Sequence, residues 1–204
     1  MPYFQRFCRN FVWLLGLSLA MLLLFQPCAS AQSADAWVSP RRQDGNGGWI
    51  SDRANLIDWS TERSLNRRIN KLVGRTRAEM AIATLPQLEA GQSSRAFALN
   101  LFNAWGIGNR DTNNGVLLFI SHADRRIEII TGTGLGDVLP DAAVSRLIQQ
   151  EIVPAFRQQD YAKGITQGVN AIAQSLEAQL PSAIFPDWMP DGVVWIPWLL
   201  VVVG

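Results

Sequence analysis

Five consecutive apolar residues, Val116-Leu117-Leu118-Phe119-Ile120, constrain this chain more than any other stretch of it. Successive side chains of a strand point to opposite faces, so a half-exposed strand alternates and a strand without alternation is covered on both sides. The fold is therefore expected to cover both faces of a sheet. Ser121-His122-Ala123-Asp124 reads as a four-residue hairpin turn into a second strand over residues 125–131, antiparallel to the first. A third strand over residues 79–85, ended by Pro86, reaches the sheet through a helical crossover. It should lie parallel to one of the other two, which makes the sheet mixed.

The helices follow from spacing. Asp58 or Ser60 can cap a helix in which Leu65, Ile69, Leu72 and Val73 share one face. Its other face carries Arg63, Arg67, Lys71 and Arg75. That row reads as a solvated surface, with a docking patch for an acidic partner or a lipid surface as the sharper alternative. Ser93-Ser94 opens a second helix with Phe97, Leu101 and Trp105 on one side, and Gly106 closes it. Residues 142–153 present Val144, Leu147, Ile148 and Ile152 until Pro154 stops the helix, and residues 161–180 present Ile165, Val169, Ile172 and Leu176. The order helix, strand, helix, two strands, two helices predicts an α/β fold, a three-layer α/β/α sandwich with a small mixed sheet.

Both ends differ from this middle. Arg6 and Arg9, the apolar run 11–25 and Cys28-Ala29-Ser30-Ala31 have the basic, apolar and small-residue order of a secretory signal peptide over residues 1–31. The run of about fifteen residues is short of the roughly 20 that span a bilayer, which favours cleavage over a membrane anchor. Cleavage after Ala31 would remove Cys8 and Cys28, the only cysteines, and with them any disulfide, thiolate metal site or thiol catalysis. Of the 18 basic residues two precede Ala31, and all 17 acidic residues follow it; 16 against 17 is a formal −1, which gives no pull toward nucleic acid. Residues 32–48 read as a flexible leader, 49–180 as the folded domain and 181–192 as a proline-rich linker. Residues 193–204 read as an apolar tail whose tryptophans suit the headgroup region. The tail lies in the interface, begins a longer span or packs on the domain; association with a membrane is the favoured reading.

Three clusters offer chemistry. Asp111, Asn113 and Asn114 present oxygen donors of the kind hard cations prefer, or simply build a turn into the strand. Gly132-Thr133-Gly134-Leu135-Gly136-Asp137 lacks the spacing of a dinucleotide fingerprint. With Asp137 and Asp141 flanking it, it suits a cation or a cation-bridged phosphate, while Asp141 can equally be the N-cap of the next helix. His122 is the only histidine, and a hairpin-turn histidine is ordinarily a solvent-exposed one. The nucleophile motifs GxSxG and HExxH are absent.

Taken jointly, Trp105-Gly106-Ile107-Gly108, Asn114-Gly115-Val116-Leu117-Leu118, Asp124-Arg125-Arg126 before Ile127-Glu128-Ile129, Gly132-Thr133-Gly134-Leu135 and Pro140-Asp141 resemble the TPM domain family in order and spacing. Ile152-Val153-Pro154-Ala155-Phe156-Arg157 and Asp160-Tyr161-Ala162-Lys163-Gly164 are similar to its C-terminal half. The resemblance implies an α/β/α sandwich, often with an N-terminal signal and a C-terminal membrane helix. Within the family the chain is most similar to thylakoid-lumen proteins of cyanobacteria and plastids that support photosystem II repair. Members described as weak acid phosphatases and as calcium binders imply a metal site, calcium or magnesium, whose acidic positions fall here on Asp111, Asp137 and Asp141. Where the family commonly has Gly-Leu-Glu, this chain has Gly134-Leu135-Gly136, with the carboxylate of Asp137 one place later. The implied roles are an accessory protein for a membrane complex, with that complex's subunits and the membrane as partners, or a metal-dependent acid phosphatase of the thylakoid lumen or periplasm. An envelope binding module with no photosynthetic link is a third.

Overall fold

The computed structural model describes residues 37–40 and 48–180. The signal peptide, linker and tail read from the sequence lie outside the described residues. The chain runs β1 (Ile50–Asp52), α1 (Trp59–Thr76), β2 (Glu79–Leu85), α2 (Ser94–Trp105), β3 (Gly115–Ser121), β4 (Arg126–Thr131), a 3-10 turn (Thr133–Leu135), α3 (Asp141–Leu147), a π-helical turn (Ile148–Ile152), α4 (Val153–Arg157) and α5 (Tyr161–Gln179).

The four strands stand in the order β1-β2-β3-β4. β1, β2 and β3 are parallel, and β4 returns antiparallel with Val116 opposite Thr131 and Ser121 opposite Arg126. All seven residues of β3 are buried, as an unalternating run requires. Its Val116, Leu118 and Ile120 join Met80 and Ile82 under α1, α3 and α5, whereas Leu117 and Phe119 join Ala81, Ala83 and Leu85 under α2. The sheet thus separates two apolar layers, and the α/β/α sandwich expected from the sequence is the fold. Consecutive strands step in one direction while α1 and α2 lie on opposite faces. The two parallel crossovers therefore have opposite hands, and one departs from the right-handed rule.

Three local features differ from the sequence reading. β1 is an additional strand of three residues, too short to display a period of two. It is fixed from α1, where Asn66 Oδ1 accepts from Trp49 N at 2.9 Å and Asn70 Oδ1 accepts from the Trp49 indole at 2.6 Å. Pro154 does not stop the helix. The π-turn carries the chain into α4, the Val153 amide reaches back five residues to the Ile148 carbonyl, and Pro154 sits in the first turn of α4, where a missing N–H costs little. Trp37, within the stretch read as a leader, is buried. It stacks on Trp105, meets Phe97 edge-on, accepts the Trp105 indole N–H at its carbonyl at 2.8 Å and lies under the Arg53 guanidinium. No helix among the described residues is long and apolar enough to cross a membrane.

Candidate functional site

The loops with the acidic candidates meet at the end of the sheet where β3 begins and β4 finishes. Register alone brings them there, since Val116 pairs with Thr131. Backbone contact then locks them: Gly132 N donates to Gly115 O at 2.8 Å and Gly134 N to Asn113 O at 3.1 Å. The approach is so close that a Cβ on Gly132 would collide with the Asn113 carbonyl, and one on Gly134 with the Thr112 carbonyl. The glycines thus answer to packing of one loop on another. The amides of Gly132 and Gly134 are spent on that packing.

The first of these loops is held by its own amide side chains. Asn109 Oδ1 accepts from Asp111 N at 2.8 Å, Asn114 Oδ1 accepts from Asn109 N at 3.0 Å, and Asn114 Nδ2 donates to Arg77 O at 2.9 Å. Asn114 is therefore a buried structural strut, committed at both ends of its amide. Asp111, Asp137 and Asp141 are exposed. Asp141 is not the cap of α3, a position that Pro140 occupies; it lies in the first turn, where a negative charge complements the helix dipole. In kind, these oxygen donors suit calcium or magnesium. In arrangement, no group of three or more His, Cys, Asp or Glu among the described residues is placed to hold a metal ion.

The opposite end of the β3–β4 pair, at its turn, holds a cavity of about 530 Å³ that the sequence does not announce. Its floor is apolar, from Ile120, Ile127, Val153 and Phe156, and Arg125, Arg126 and Arg157 line it. His122 stands at its side with its ring edge-on to Tyr161 at 4.8 Å, and Tyr161 is edge-on to Phe156 at 5.2 Å. The turn is clamped by Asp124, whose carboxylate accepts from the Leu88 amide at 2.7 Å and from the Ser121 hydroxyl. Those two bonds, with the Arg126 charge beside them, hold the Asp124 carboxyl below the usual carboxylate range. The cavity unites two separated stretches of sequence, Arg125-Arg126-Ile127 after the turn and Val153, Phe156 and Arg157 of α4. Paired arginines at the mouth of a strand were its one legible sign.

Comparison with known proteins agrees with this architecture. The family model of the TPM domain matches residues 50–175. The N-terminal domain of a protein from P. gingivalis is 32% identical with a TM-score of 0.65, over 72% of this chain and 93% of that one. The BA42 protein of Bizionia argentinensis is 19% identical with a TM-score of 0.55, over 63% and 86%, and shows likeness of fold. The N-terminal domain of a Corynebacterium glutamicum protein does likewise at 18% and 0.50, over 71% and 87%. Among proteins of curated function, none matches the sequence. With the family match covering more than half of its length, the chain belongs to the TPM domain family.

Proposed function

We propose that the chain is an exported, membrane-associated accessory protein that assists repair or assembly of a membrane complex, photosystem II where the source has thylakoids. Membership of the TPM family over residues 50–175 carries this reading, since such a domain is consistent with an exported accessory or phosphatase-like role. The signal-like order of residues 1–31 and the tryptophan-bearing tail at 193–204 support export to the thylakoid lumen or periplasm and contact with the membrane. Its partners are subunits of that complex. In a photosynthetic host lacking the chain, photosystem II activity should return more slowly after bright light. The full chain should restore the rate, and a version ending at residue 192 should not. Unchanged recovery in the deletion strain overturns the photosystem assignment, and full rescue by the shortened chain overturns tethering by the tail.

The second reading is a metal-dependent acid phosphatase, with calcium or magnesium held by Asp111, Asp137 and Asp141. The interlocked loops at one end of the sheet favour it. As the described residues bring no three ligands together, the cation itself would have to draw these exposed carboxylates inward. Calorimetric titration with calcium, with Asp141→Ala as control, should then show binding that the substitution weakens. Equal binding by both proteins, or unchanged phosphate-ester turnover in the Asp137→Ala, Asp141→Ala double variant, removes the site from consideration.

A further inference from the structure

We infer that the cavity between the β3–β4 turn and α4 is a binding site for an acidic peptide segment that carries an apolar side chain. Three observations point the same way. Arg125, Arg126 and Arg157 line the cavity from three pieces of backbone, the turn, β4 and the end of α4, and among the described residues no acidic side chain lines it with them. The nearby carboxylates are already engaged. Asp124 accepts from Ser121 and Leu88, and Asp160 accepts from the Lys163 amide at 3.2 Å as the cap of α5. Arg125 and Arg157 form no ion pair among the described residues, and both are exposed, so their forks are available to carboxylates.

The floor sets the rest of the ligand. Ile127, Val153 and Phe156 are partly buried, and together with the edge-on His122 and Tyr161 rings they give an apolar surface that water covers poorly. A cavity of about 530 Å³ has the size of a pocket for an extended group, more than a small ion needs. A segment with acidic residues flanking an apolar or aromatic one meets both parts: carboxylates at the guanidinium rim, and the apolar side chain on the floor. The cavity would accept such a segment whichever complex the chain serves, and it lies at the other end of the sheet from the acidic loops.

The test uses the full chain and a fluorescein-labelled hexapeptide with two Asp, two Glu and a central Phe-Leu pair. Its counterpart has Asn and Gln in place of the acids. Fluorescence anisotropy should show binding of the acidic peptide only, weakened about tenfold by Arg125→Glu with Arg157→Glu and less by the matching Gln variants. Arg67→Glu with Lys71→Glu, on the exposed face of α1, should leave it unchanged. Thermal melting of each variant separates lost binding from lost folding. Five results overturn the inference: no binding of the acidic peptide, equal binding of the neutral one, binding indifferent to the cavity arginines, a loss equally large in the α1 variant, or stronger arginine-dependent binding of phenyl phosphate or anionic phosphatidylglycerol vesicles. The last two ligands would make the cavity a phosphate or lipid-headgroup site.

Discussion

Asp58, at the head of α1, accepts from the amides and hydroxyls of Ser60 and Thr61, and those bonds hold its carboxyl far below the usual range. A carboxyl acidified by folding contributes stability above its unfolded pKa of about 3.9, and the contribution is lost as pH falls through that value toward the folded one. Asp58→Ala should therefore lower Tm by roughly a few degrees at neutral pH. The gap to the parent, followed by thermal melts across pH, should begin to narrow below about pH 4 and go on narrowing as the pH falls further. A gap independent of pH would mean that the charge is not what the cap uses. Gly134 tests a different kind of constraint. A methyl group there would overlap the Thr112 carbonyl, so Gly134→Ala should cost about 3 kcal/mol in urea unfolding, the upper end for overpacking. These glycines are plain in the sequence, but spacing cannot distinguish a glycine kept for a ligand from one kept for a neighbouring backbone. The same ambiguity hid the role of Asn114: an oxygen donor in the sequence is, once folded, spent between Asn109 and Arg77.

Among the elements, legibility followed length and period. α1, α2 and α5 were readable because apolar residues recur on one face over twelve residues or more, and β3 because it does not alternate at all. β1 was not, since three residues define no period and its placement depends on Asn66 and Asn70 from a later helix. Pro154 reads as a terminator because proline in a helix interior removes a bond and clashes with the preceding turn. The π-turn before it shifts the hydrogen-bond frame so that the proline begins a new segment. Pro154→Ala should accordingly leave stability within about 1 kcal/mol, in contrast to the roughly 3 kcal/mol gained when an obstructing proline leaves a helix. A large gain on chemical denaturation would mean that the π-turn is a strain imposed by the proline. Between elements, Arg68 on α1 grips Glu177 on α5 with two bonds of 2.8 and 3.0 Å, both side chains about four-fifths shielded. Glu177→Gln should cost about 1 kcal/mol, with a double-mutant cycle against Arg68→Ala assigning that cost to the pair.

Taken together, these elements make one sheet whose two ends are chemically opposite. Loops that carry exposed carboxylates meet at the start of β3, and arginines line a cavity at the other end of that seven-residue strand. That separation, roughly 20 Å at the rise of a strand, exceeds the roughly 8 Å Debye length at physiological salt. Both sets of charges are visible in the sequence but their separation is not, because opposite ends of β3 become distinct places only after β4 folds back in register. The two ends should then behave independently. If calcium binds the carboxylate loops, it raises Tm by mass action. Asp137→Ala with Asp141→Ala should abolish that rise, whereas Arg125→Glu with Arg157→Glu should leave it intact. Unfolding free energies of the two double variants should add to within about 0.5 kcal/mol when combined, as expected for sites with no shared partner. A calcium response that fell with the arginine changes, or a coupling well beyond that limit, would mean that β3 transmits between its ends. The sheet would then act as one coupled device with a single functional site spread over both ends.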